Sequence, residues 1–91
     1  MTTIYEKAIV AWGKDSQLLQ TTEECAELIK SIMKHLNRGE PYDNIIEEAV
    51  DVDIMVKQLK TMFPSDLWKN VKQEKLARLK RLLQEDADGK N

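Results

Sequence analysis

The sequence predicts an all-α fold of four helices, and three features of its 91 residues support this prediction. Glycine occurs only three times and proline twice, and all five residues fall at predicted breaks or in the C-terminal tail. Apolar residues recur at spacings of three and four, and no segment alternates apolar and polar residues as a strand would. Short connections between long amphipathic segments predict antiparallel neighbours in a helical bundle.

The first helix is predicted over residues 3–12. Thr3 and Glu6 have the spacing of a capping box, in which each side chain accepts a hydrogen bond from the backbone N–H of the other residue. Gly13 follows the last apolar residue and is expected to end the helix, because glycine adopts cap conformations that other residues avoid.

The second helix is predicted from a cap at Asp15 or Ser16 to about Asn37. Its end is marked by Gly39, and Pro41 lies just beyond, since neither residue continues a helix. Its apolar stripe consists of Leu18, Cys25, Ile29, Ile32 and Leu36, widened by Leu19, Ala26 and Met33.

The third helix is predicted to start near Asp43 and to end before Pro64. It is apolar nearly all round, which is typical of a helix surrounded by protein. One chain of 91 residues can hardly enclose it, so we expect a second copy to cover it. The apolar positions on one side are Ile45, Val52, Val56 and Leu59, and those opposite are Val50 and Ile54.

The fourth helix is predicted from a cap at Ser65 to about Gln84, followed by a frayed polar tail over residues 85–91. Lys75 lies in the middle of its apolar stripe. A lysine in such a place must extend its amine to the edge of the stripe or meet an anion. The stripe consists of Trp68, Val71, Leu79 and Leu82.

Composition limits the classes of protein that fit. A net charge of -2 and a pI of about 5.4 argue against a nucleic-acid-binding module. Cys25 is the one cysteine, so an internal disulfide and a cysteine-rich zinc site are excluded. No apolar run approaches the roughly 18 residues of a membrane span, and the first residues do not resemble a signal peptide. We therefore expect one cytoplasmic domain over residues 1–91, with neither nucleic-acid nor membrane partners.

Two acidic pairs stand out as candidate site residues. Glu24 and Glu27 lie in the second predicted helix, and Glu48 and Asp51 lie in the third. Residues three apart share one helix face, so side-by-side packing would bring four carboxylates together. Their repulsion would be relieved by Mg²⁺, which prefers oxygen ligands and also accepts phosphates. Such a site suits cleavage of a phosphoanhydride, with a carboxylate not engaged by the metal accepting the proton of water.

A single acidic pair is more often the charged surface of a solvated helix. Glu48 and Asp51 differ, because they lie on the helix without a polar face. An unpaired carboxylate buried there would lower the free energy of unfolding by on the order of several kcal/mol. Metal binding is the first explanation for these acids, and ion pairing with Lys75 is the second.

These motifs resemble the MazG-like branch of the all-α nucleoside triphosphate pyrophosphohydrolases, and most closely its short, single-domain, phage-type members. The resemblance covers about residues 8–83 and rests chiefly on Glu-x-x-Glu followed, after residues 28–47, by Glu-x-x-Asp. Supporting segments are Trp12-Gly13 with Gln17, residues 23–28, residues 46–55, Gln58-Leu59 and the basic segment 75–79. The resemblance implies a homodimer or a dimer of dimers. It also implies that four carboxylates are catalytic and hold Mg²⁺, with Mn²⁺ able to substitute: Glu24, Glu27, Glu48 and Asp51.

Other residues are candidates for substrate contact. The resemblance implies that Lys75 and Arg78 contact phosphates. Trp12 is expected either to stack on a base or to lie in the core. Gln17 lies on the same side of its helix as Glu24 and is expected to bond a base, a phosphate or solvent. Asp53 adds a further acid, as a ligand, a proton acceptor or a partner of a basic residue.

The leading expectation is a Mg²⁺-dependent enzyme that converts an NTP or dNTP and water to the monophosphate and pyrophosphate, in nucleotide-pool house-cleaning. One alternative is a non-catalytic helical module that binds nucleotides or a protein partner. A second alternative is an enzyme like phosphoribosyl-ATP pyrophosphohydrolase or like the dimeric dUTPases. The histidine that often follows the Asp motif in the first of these enzymes is absent from this sequence, and the chains of the dimeric dUTPases are usually longer.

Overall fold

The structure, a computed structural model, describes residues 2–89 as four α-helices with no strand in that range. This confirms the predicted all-α class and the number of helices. The helices are α1 (Ile4–Trp12), α2 (Lys14–Arg38), α3 (Asp43–Met62) and α4 (Ser65–Gly89).

The predicted capping box opens α1. The backbone N–H of Glu6 donates to Oγ1 of Thr3, and the backbone N–H of Thr3 donates to Oε1 of Glu6, both at 3.2 Å. Gly13, at φ +90°, ends the helix and donates its N–H to the carbonyl of Ile9 at 2.7 Å. The start and the end of α1 therefore follow from local sequence.

The start of α2 differs from the prediction. Gly13 rather than Asp15 or Ser16 precedes the helix, because its carbonyl accepts the N–H of Gln17 at 3.1 Å. Asp15 and Ser16 lie inside the first turn, so the predicted side-chain cap is wrong. At the other end, Gly39 adopts the predicted left-handed cap conformation, at φ +67°.

Pro64 separates α3 from α4 as predicted. It forces extended backbone on Phe63, which ends α3 at Met62. The carbonyl of Pro64 then accepts the N–H of Trp68 at 3.2 Å, which starts α4. This last helix passes the predicted end near Gln84 and continues to Gly89. Of the predicted frayed tail, residues 85–89 are helical, and 90–91 lie outside the described residues.

The main packing is between α2 and α3, which the short loop 39–42 joins as antiparallel neighbours. Helix α1 packs against both of them, whereas α4 contacts α3 alone. None of the described helices combines the length and the apolarity that crossing a membrane requires.

The single chain has almost no apolar core. Within residues 2–89, Met55 is the one apolar residue classed as buried, and the other buried side chains are those of Gln17, Ser31 and Gln58. On α3, Val50 is 51% exposed and Ile54 is 41% exposed. The helical bundle of several copies stays a prediction. The exposed apolar surface of the single chain is consistent with it, because a second copy would cover that surface.

Candidate functional site

A buried amide pair aligns α2 with α3. Gln17 and Gln58 are each 5% exposed, and Nε2 of Gln17 donates to Oε1 of Gln58 at 2.7 Å. The two helices are antiparallel, so seven steps forward from Gln17 and seven steps back from Gln58 lead to the same level of the interface. Those steps reach Glu24 and Asp51, and ten steps reach Glu27 and Glu48. The register thus sets the two acidic motifs opposite each other.

Three of the four predicted carboxylates converge. Glu24, Glu48 and Asp51 each offer an oxygen, and the three oxygens lie within 4.8 Å of one another. We call these three residues the acidic cluster. Glu24 and Glu48 are half-buried and Asp51 is exposed, so the cluster opens to solvent on one side. Nε2 of Gln20 donates to Oε1 of Glu24 at 2.8 Å and holds that carboxylate in place from the preceding turn.

The carboxylates of the cluster repel one another. Partial burial raises the pKa of Glu48 above its ordinary value, and the charge of Asp51 adds to this effect, followed by smaller effects of Glu27, Glu24 and Glu47. Among the described residues, no salt bridge neutralises the acidic cluster. The predicted alternative, an ion pair with Lys75, is therefore not formed within one chain.

The other two candidate acids lie outside the acidic cluster. Glu27 is exposed, although its charge still raises the pKa of Glu48. Asp53 accepts a hydrogen bond from Nζ of Lys57 at 2.7 Å, one turn along α3. Of the three roles left open for Asp53, the structure supports the partner of a basic residue. The same bond raises the pKa of Lys57.

Trp12 and Gln17 have different surroundings. Trp12 is 65% exposed and lines a groove of about 610 Å³ between α1 and α3, so in the single chain it is not a core residue. Tyr5, Ile54 and Gln58 line the same groove. Gln17 is buried, and its amide nitrogen is engaged by Gln58, so substrate contact through Gln17 stays a prediction.

The basic residues predicted to contact phosphate form no ion pair with the acidic cluster among the described residues. Lys75 and Arg78 are exposed on α4, which packs against α3 and not against α2. Their predicted contact with phosphate stays a prediction.

Gln58 is the residue whose role sequence reasoning missed. The sequence identifies Gln58 only as part of the family motif, although it follows Asp51 by seven residues and therefore shares its helix face. A polar residue at that position signals a buried amide pair only when the opposite helix offers a partner, here Gln17.

Comparisons with protein-family models, with curated proteins and with solved structures found no match to this chain.

Proposed function

We propose that this protein is a Mg²⁺-dependent nucleoside triphosphate pyrophosphohydrolase, which converts an NTP or dNTP and water to the monophosphate and pyrophosphate. The observation that supports the proposal is the convergence of Glu24, Glu48 and Asp51 on one point. Like charges repel one another, so three carboxylates this close together are stabilised when a cation lies between them. Here the register of two helices holds them together, which is the arrangement expected if a cation occupies their centre.

The donor set fits Mg²⁺. It consists of carboxylate oxygens alone, and the exposed side near Asp51 leaves room for water and phosphate as further ligands. Glu24, Glu48 and Asp51 would hold the ion, and Mn²⁺ would satisfy the same oxygen donors. When bound, such an ion neutralises the polyphosphate and lowers the pKa of a coordinated water.

The remaining residues have roles that follow from their positions. Glu27 lies beside the acidic cluster but outside it. This position suits a general base, which accepts the proton released by the attacking water. The exposed ring of Trp12 offers a plane on which a base can stack. As the resemblance implies, Lys75 and Arg78 would contact phosphates from a second copy, in a homodimer or a dimer of dimers.

The test is pyrophosphate release from a panel of NTPs and dNTPs, with Mg²⁺ and with EDTA. We expect Mg²⁺-dependent pyrophosphate with an equal amount of monophosphate. Glu48→Gln should lower kcat/KM by about 100-fold or more. Glu47→Gln is the matched control, since Glu47 is the adjacent, exposed acid and should leave the rate within about threefold.

A second matched pair tests the other carboxylate of α3. Asp51→Asn should lower the rate as Glu48→Gln does, whereas Asp53→Asn should not, because Asp53 is paired with Lys57 outside the acidic cluster. Equal rates for the wild-type protein and for Glu48→Gln or Asp51→Asn would contradict the assigned roles.

Other outcomes point to the alternatives. A rise in Tm that needs Mg²⁺, without any product, would indicate a module that binds nucleotides without turnover. No effect of Mg²⁺ on either stability or turnover would indicate an interaction module whose acids are structural. Turnover restricted to dUTP or to phosphoribosyl-ATP would assign one of the narrower enzyme classes.

A further inference from the structure

An apolar groove lies between α3 and α4. It is formed by the C-terminal half of α3 and the N-terminal half of α4 and has a volume of about 540 Å³. Its apolar lining is open to solvent in the single chain, with Phe63 50%, Leu67 59% and Val71 41% exposed, and Trp68 completes it. Exposed apolar surface gathered in one groove with a polar edge is typical of a binding site.

Three exposed lysines also line the groove and make it positively charged. Nζ of Lys57 donates to Asp53 at 2.7 Å, so these two charges offset each other. Lys60 and Lys72 form no salt bridge among the described residues. Nζ of Lys60 lies 5.7 Å from the ring centroid of Trp68, and this contact leaves its charge uncompensated. The groove thus presents positive charge beside apolar side chains, in a protein whose net charge is -2.

The surroundings of the groove favour a helix as its occupant. Helix α4 contacts α3 alone, and none of the 25 residues of α4 is buried. A further helix in the groove would cover the apolar side chains of α3 and of α4 together, because the side chains of one helix pack between those of its neighbours. Helices that bind in such grooves carry apolar residues at spacings of three and four.

Two exposed apolar helix faces of this chain carry the wrong charge for this groove. Arg78 and Arg81 flank the exposed leucines of α4 beyond the groove, and Lys34 and Arg38 flank the exposed C-terminal stripe of α2. A second copy that placed either face in the groove would set like charges beside its lysines, which is destabilising. Charge therefore favours a helix with acidic flanks from a different protein.

We propose that the groove between α3 and α4 binds an acidic amphipathic helix of another protein, whose apolar residues cover Trp68 and Val71 and whose carboxylates lie beside Lys60 and Lys72. This interface goes beyond the proposed function and does not depend on it. Burial of the apolar side chains drives the association. The lysines select an acidic partner over a basic one and speed its encounter with the groove.

The test uses three synthetic peptides of about 15 residues, near the length at which isolated helices become marginally stable. The first has leucines at helical spacing flanked by glutamates, the second has lysine for each glutamate, and the third has serine for each leucine. Binding to the full chain is followed by the fluorescence of Trp68, with Trp12→Phe as the background so that Trp68 is the single tryptophan. We expect the first peptide to bind at least about tenfold more tightly than either of the others.

The net charge of the protein makes this comparison discriminating. A protein with a net charge of -2 attracts the lysine peptide through its overall field, whereas the groove attracts the glutamate peptide. Equal or tighter binding of the lysine peptide would therefore overturn the proposal. Equal binding of the serine peptide would also overturn it, because the apolar lining would then have no part in the interaction.

A charge reversal locates the interaction on the protein. Lys72→Glu should weaken binding of the glutamate peptide by about tenfold and strengthen binding of the lysine peptide. Lys80→Glu is the matched control, since it makes the same change of charge at an exposed position of α4 that does not line the groove, and it should change either affinity by less than about threefold. Equal effects of the two variants would overturn the proposal. Circular dichroism checks that both remain helical.

Sedimentation equilibrium distinguishes a different protein from a second copy as the occupant. We expect the glutamate peptide to bind without changing the association state of the chain. A self-association that Lys72→Glu abolishes and that the peptide displaces would assign the groove to a second copy and overturn the proposal. None of these readouts involves pyrophosphate release, so failure of the interface and failure of the proposed enzyme are distinguishable.

Discussion

Replacement of Gln58 by leucine tests the register on which the acidic cluster depends. The single variant Gln58→Leu leaves Nε2 of Gln17, a donor in a residue only 5% exposed, without its acceptor at 2.7 Å. An unsatisfied buried donor costs about 1–3 kcal/mol. The contact between Nε2 of Gln58 and Sδ of Met55, at 3.6 Å, is lost as well, but sulfur is a weak acceptor and this loss is small.

The double variant Gln17→Leu with Gln58→Leu should recover most of that loss. Replacement of both partners by apolar groups of similar size is nearly neutral, because no buried polar group remains unpaired. We therefore expect a coupling energy of about 1–3 kcal/mol between the two positions. At about 4–8 °C per kcal/mol, a single variant that loses about 2 kcal/mol melts roughly 8–16 °C below the wild-type protein.

The assays are urea unfolding for the free energies and thermal melting for the temperature shift, both followed by circular dichroism with all variants at one protein concentration because association also stabilises. Gln73→Leu is the control, since Gln73 is exposed on α4, and it should change stability by no more than about 0.5 kcal/mol. If the costs of the two single variants simply add in the double variant, the amide pair does not hold the register and the reasoning is refuted.

Two further predictions concern the acidic cluster and a helix end. In EDTA, Glu48→Gln should unfold at a higher temperature than the wild-type protein at pH 8. The raised pKa means that folded Glu48 binds its proton more tightly, so its contribution to stability is present below the unfolded pKa and is lost as the pH rises through the folded value. Melting curves from pH 4 to pH 8 should show the two proteins converging at the acid end, and a constant difference would refute the assigned cause. Gly39→Ala should cost about 1 kcal/mol in urea unfolding, because φ of +67° strains any side chain even where no atom obstructs it. An unchanged midpoint would contradict that account of the end of α2, and Gly89→Ala, without a positive φ, is its control.

The helices and most of their ends could be predicted from sequence because their causes are local. The capping box of Thr3 and Glu6, the left-handed Gly39 and the proline at 64 each act within a few residues. The errors lie where two local signals compete. Gly13 and the polar residues at 15 and 16 could each open α2, and the backbone of Gly13 does so. At the other end of the chain, polar residues that suggested fraying continue α4 to Gly89.

The sequence by itself determined that two acidic motifs would lie on neighbouring antiparallel helices. The tertiary structure alone decided which oxygens meet, because that depends on the axial offset and the rotation of α2 against α3. At the observed offset the distant residues Gln17 and Gln58 form a buried hydrogen bond. The result brings together Glu24, Glu48 and Asp51, with Glu27 outside and Asp53 turned to Lys57. Spacing along one helix cannot specify such a choice, since it concerns the relation between two helices.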